Sequence, residues 1–128
     1  MSYYFSKTLA SSFDEAVSKV IEELKIEGFG ILTEIDVKET LKKKLDVDFR
    51  KYKILGACNP TFAYQALQVE DKIGTMLPCN VVVQELTDGG VEVSAVDPIA
   101  SMQAVENPQL SDIATQIQSK LQAVIDRL

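Results

Sequence analysis

The chain contains no histidine. That excludes the Ser-His-Asp and Cys-His nucleophile systems, because each needs a ring nitrogen that titrates near neutrality. It also excludes the usual zinc enzymes, whose three protein ligands nearly always include an imidazole. Tryptophan is absent, and there are only two cysteines, Cys58 and Cys79. Two thiols can close one disulfide at most, and a disulfide scaffold is ruled out. They cannot complete a four-thiolate metal site within one chain, so no such metal centre is expected, although two chains of a dimer could pool four. No apolar run reaches the length of a membrane span, so no membrane partner is expected. The opening Met1-Ser2-Tyr3-Tyr4 lacks the basic start and apolar stretch of a signal peptide, and the expected location is cytoplasmic.

What is present describes a globular domain. A chain of 128 residues fits one domain, here 1–128, with 46% apolar and 25% charged side chains. The net charge of −6 argues against a nucleic-acid partner, where a basic footprint is expected. The charge is uneven: residues 1–56 hold 10 basic and 10 acidic side chains, while the remainder holds 3 and 9. A basic knot, Lys42, Lys43, Lys44, Arg50, Lys51 and Lys53, falls in the first part and reads as a solvated face.

Along the chain, residues 3–9 are aromatic and β-prone and read as a strand. Ser12 and Glu15 form a capping box, followed by Phe13, Val17, Val20, Ile21 and Leu24 on one helical face. Gly28 is placed to end that helix in the left-handed conformation. Phe29 to Ile35 is a second strand, and Asp36 with Glu39 opens a short helix. Tyr52 to Ala57 is a third strand. Asn59-Pro60 then caps and opens a helix with a small-residue face built on Ala63 and Ala66.

Ile73 to Leu77 is a loop or single turn, and Val81 to Thr87 a fourth strand. Asp88-Gly89-Gly90 turns it into an antiparallel return, Val91 to Val96. Asp97-Pro98 and Asn107-Pro108 repeat the cap-then-proline device. The last helix carries an eight-member apolar stripe from Leu110 to Leu128. The order β-α-β-(α)-β-α-β-β-α predicts an α+β fold, a mainly antiparallel sheet with the long helices on one face.

One constellation has chemical variety. If strands three to five are sequential antiparallel neighbours, Cys58, Cys79 and Asp97 lie at one end of the sheet, with Asn59, Pro60 and Asn80 beside them. These six are the candidate ligand-binding residues. A thiol just before a helix start feels the partial charge of unpaired amides, which favours the thiolate. Such a thiol could relay sulfur, sense oxidants or hold a soft metal ion, with Cys79 as its partner. The plainer reading makes both thiols small buried hydrophobes, and Asn59 and Asp97 helix caps. The connection from strand three to strand four contains a helix and could equally join parallel strands, which would part the cysteines.

The segment Tyr52 to Pro60 (Tyr-Lys-Ile-Leu-Gly-Ala-Cys-Asn-Pro) is followed by Ala63, Ala66-Leu67, Ile73-Gly74 and Leu77-Pro78-Cys79-Asn80-Val81. With Val96-Asp97-Pro98 and Met102, this pattern resembles the domain-of-unknown-function 302 family over essentially the whole chain. The resemblance implies a fold similar to the TATA-binding-protein type, with a curved antiparallel sheet, which favours the arrangement that brings Cys58 near Cys79. It also implies a homodimer. It supplies no activity, and no cofactor is implied.

Two functions follow as expectations. One is a dimeric small-ligand or thiol-handling domain, for sulfur, redox or soft-metal ligands, with a small molecule as partner. The other is a non-catalytic structural or protein-interaction module in which both cysteines are core. An ordinary acid–base enzyme is third, because no carboxylate pair stands isolated in an apolar setting.

Overall fold

Four helix starts in this chain coincide with capping side chains. Ser12 accepts from the Glu15 amide at 3.2 Å, Asp36 from Glu39 at 3.0 Å, Asp97 from Ile99 at 3.0 Å and Asn107 from Gln109 at 3.1 Å. In the computed structural model, which describes residues 2–128, these caps punctuate eleven elements. They are β1 (Tyr4–Leu9), α1 (Phe13–Ile26), β2 (Gly30–Asp36), α2 (Val37–Leu45), β3 (Tyr52–Cys58), α3 (Pro60–Val69), a 3-10 turn (Ile73–Met76), β4 (Cys79–Glu85), β5 (Val91–Val96), α4 (Pro98–Ser101) and α5 (Pro108–Arg127).

The five strands form one sheet in the order β1-β5-β4-β3-β2, and each neighbouring pair is antiparallel. This resolves the open connection between β3 and β4. The connection from Cys58 to Cys79, which contains α3 and the 3-10 turn, leaves and rejoins the sheet at the same end, so β4 starts where β3 leaves.

One sheet face is the core. Residues at every second position, Leu55 and Ala57 on β3, then Val81 and Val83 on β4, then Val91, Val93 and Ala95 on β5, are buried under α1 and α5. All eight members of the α5 stripe are buried as expected, and Leu121 in its centre is wholly covered. Burying a leucine of that kind contributes about 2–3 kcal/mol.

The end of α1 matches its signal. Gly28 has φ 87°, its amide bonds the Lys25 carbonyl at 3.0 Å, and Phe29 bonds the Leu24 carbonyl at 2.9 Å. That pair of bonds closes the helix in the left-handed manner glycine permits.

α2 lies at the periphery and buries no residue. Two of its lysines are paired with neighbours: Lys42 meets Asp46 at 2.9 Å and Asp48 at 3.5 Å, and Lys43 meets Glu39 at 3.4 Å. Arg50 lies 4.4 Å from the Phe49 ring centroid and donates to Gln84 at 2.9 Å, and Lys53 pairs with Glu34 at 2.7 Å. Three of the six cations of the basic knot, Lys42, Lys43 and Lys53, thus meet a carboxylate, and Arg50 lies over an aromatic ring. Among the described residues, no helix is long and apolar enough to cross a membrane.

Candidate functional site

Where β3 and β4 meet α3, the strand alternation that builds the core also builds a hollow. Ala57 pairs with Cys79, and both face the helices. One residue further on, Cys58 pairs with Gly30 of β2, and the chain turns into α3. α3 does not lie flush on the sheet. It buries only Ala66 fully, and its Phe62, Ala63 and Leu67 form the roof of a cavity of about 300 Å³. Phe29, Leu32, Cys58 and Cys79 form its sheet side, Leu77 and Pro78 one edge, and Met102 and Ile117 its far wall. No charged residue lines it, and Asn59 supplies its one side-chain amide.

The two thiols occupy unlike positions. Cys58 is half-buried, whereas Cys79 is 6% exposed. Burial, and secondarily the charge of Cys58 beside it, pushes the Cys79 thiol up to about 11. At neutral pH Cys79 is a protonated, poorly nucleophilic thiol. Cys58, in the more open position, is the thiol a ligand entering the cavity can reach. Both cysteines are free.

Three of the six candidate residues, Cys58, Asn59 and Cys79, line this cavity, and the other three do not. Pro60 is the exposed first residue of α3, where its ring sets the helix start. Asn80 projects to the opposite face of the sheet, near Tyr4 and Tyr52, because successive strand residues alternate and Cys79 faces inward. Asp97 does lie at the Cys79 end of the sheet. Its carboxylate, however, accepts from the Ile99 amide and from Gln118 Nε2, both at 3.0 Å, so it caps α4 and ties it to α5.

Asn59 departs from its expected capping role. It stands at the N-cap of α3, but its side chain caps nothing there. Instead Nδ2 donates to the Glu27 carbonyl at 3.3 Å, joining the start of α3 to the end of α1. Gly28 leaves room for this contact, since a Cβ there would come within 3.0 Å of Asn59 Nδ2.

Leu32, Phe62, Leu77 and Ile117 were not among the expected site residues. Leu32 sits where the β2–β3 register slips, between Ile31 and Thr33. The slip leaves it 67% exposed at the cavity mouth. No local signal in the chain marks that bulge. The inward position of Cys79 and outward position of Asn80 could have been read from the alternation of Cys79, Val81 and Val83.

The fold and cavity define a small α+β domain with an apolar, thiol-bearing hollow between its sheet and a short helix. A family model described as "Domain of unknown function DUF302" matches residues 5–128, and the chain belongs to that family. The crystal structure of an uncharacterised conserved DUF302 protein from Bacillus stearothermophilus is similar at 30% identity and a TM-score of 0.92. That likeness covers 99% of this chain and 98% of the other. None of the curated proteins matches the chain.

Proposed function

We propose that this domain binds a small, predominantly apolar ligand in the cavity beneath α3, with Cys58 as the thiol that meets it. The observation that carries this reading is the cavity itself: about 300 Å³, free of charged side chains, and walled in part by a half-buried thiol. That volume is at the small end of ligand sites, which are mostly apolar with a few polar groups for orientation. Cys79 by itself fits the alternative reading of core thiols in an interaction module. Cys58, in the wall of the hollow, supports a ligand site instead. The homodimer implied by the family resemblance belongs to the same proposal, and sedimentation equilibrium reads it as twice the chain mass of 14.1 kDa.

The test uses the neutral fluorophore N-phenyl-1-naphthylamine and iodoacetamide on the native, reduced protein. The fluorophore is expected to bind with a blue-shifted emission. Iodoacetamide should label Cys58 about 100-fold faster than Cys79, because burial and protonation both protect the latter. Labelled Cys58, or Ala63→Phe at the roof, should abolish fluorophore binding while the circular dichroism is kept. Fluorophore binding indifferent to both changes, or two cysteines that react only on unfolding, would sink the reading.

A further inference from the structure

We propose that α3 is a lid over the cavity, held shut by one side-chain amide at each end, and that an apolar ligand enters when these latches part. This rests on the reading of the cavity as a ligand site and adds how that site opens.

α3 is fastened to the domain at its ends more than along its length. Of its ten residues only Ala66 is buried, against five of fourteen in α1 and seven of twenty in α5. A segment that covers so little apolar surface opens at lower cost than the core around it. Its inner stripe is Phe62, Ala66 and Val69, which sets the smallest side chain at the centre, over the hollow.

The two latches are alike in chemistry. At the first end, Asn59 Nδ2 donates to the Glu27 carbonyl at 3.3 Å. Glu27 is in turn tied to α5 by Arg127 at 2.8 Å and Lys120 at 3.8 Å, so the latch closes on a fixed frame. At the other end, Asn107 Nδ2 donates to the Val69 carbonyl at 2.7 Å and to Glu70 Oε1 at 3.3 Å. Asn107 Oδ1 meanwhile caps α5 by accepting from the Gln109 amide. Asn59 stands at the N-cap of α3 and leaves the amides of its own helix uncapped. The residue placed to stabilise the helix is used to fasten it.

Both ends can turn. Asn59 and Glu70, which flank α3, are extended, and Asp71 and Lys72 beyond them are exposed. The fixed points lie just outside: the Cys58–Gly30 pair in the sheet, and Ile73, 1% exposed, in the 3-10 turn. Once off the frame, α3 loses its own hydrogen bonds, because a ten-residue helix is too short to persist alone in water. Opening is therefore a local unfolding between two short hinges. A ligand that fits only beneath the closed helix draws that equilibrium shut.

The experiment follows amide hydrogen exchange by mass spectrometry in the reduced full chain, alone and with N-phenyl-1-naphthylamine. The hydrogen-bonded amides from Ala63 to Glu70 are expected to exchange at least about 100-fold faster than the core amides of α1 and α5. Asn107→Asp keeps the cap of α5 but cannot donate to Val69, and it sets a second carboxylate against Glu70. It should speed exchange in α3 about tenfold and leave α1 and α5 unchanged. Asn59→Asp removes the other donor and should act alike. Fluorophore at about ten times its Kd should slow exchange in α3 about tenfold, and in α1 and α5 not at all.

Amides of α3 as protected as those of α5 would overturn the lid. So would latch variants that speed exchange evenly along the chain. Fluorophore that binds without slowing α3 would remove the lid and leave the ligand site. Fast, latch-dependent opening in a protein that binds no fluorophore would keep the opening device and remove the ligand reading.

Discussion

Gly56→Val is expected to leave the domain largely unfolded, and Gly56→Ala to lower its stability by about 2–3 kcal/mol. Gly56 sits in mid β3, buried, with Thr33 of β2 on one side and Asn80 of β4 on the other. A Cβ at this position would overlap Thr33 Oγ1 and come within 2.7 Å of Pro78 Cγ. Neither neighbour is the end of a long flexible chain. Thr33 is held in the ladder, and Pro78 is a ring that immediately precedes Cys79. An added methyl must push strands apart or shift the ring.

Urea denaturation should show the loss for the alanine variant, with a fall in melting temperature on the order of 10 °C. Thr33→Ala in the same background should recover part of it, because the hydroxyl is removed while the Pro78 contact remains. An alanine variant as stable as the parent would refute the argument. The same substitution should weaken fluorophore binding, since Pro78 lines the cavity that the strain would displace.

This glycine illustrates how far the sequence is legible. Elements with a local chemical signature lie within a residue or two of their expected positions. Examples are α1 between Ser12 and Gly28, the β4–β5 hairpin at Asp88-Gly89-Gly90, and α5 with its buried stripe. The α+β class with an antiparallel sheet followed from their order. What the chain does not display is pairing across distance. Nothing near Gly56 announces Thr33 or Pro78, and nothing near Asn59 announces the Glu27 carbonyl, which it bonds in place of the amides of α3.

The candidate site was legible to the same degree. Cys58 and Cys79 are brought to one hollow because β3 and β4 pair antiparallel, which sets the end of one strand beside the start of the other. Asn80 and Asp97 share that neighbourhood in sequence, yet leave the cavity for different reasons. One is turned outward by strand alternation, and the other is spent on a helix cap and Gln118. Leu32 enters it through a bulge, a feature that arises only when two strands pair out of step.

Cys79→Ala is expected to abolish a loss of stability that the parent shows in alkali. The folded thiol titrates at about 11, against an ordinary value of 9.0. Between those values the unfolded chain has given up a proton that the folded chain still holds, so folding is increasingly disfavoured as pH rises. The contribution is fully present below about pH 8.5 and is lost by about pH 11, for a total of about 2–3 kcal/mol.

The alanine variant carries a constant penalty from lost packing, which cancels when each protein is compared with itself across pH. Its unfolding free energy, measured in urea at steps between about pH 8 and 11, should therefore fall less steeply than the parent's by that amount. Lysine and tyrosine titrations are common to both proteins and drop out of the difference. Parallel curves would mean that the thiol is not held protonated by burial. In that event the slow alkylation expected of Cys79 would rest on steric burial alone, so one measurement in alkali separates the two causes of its protection.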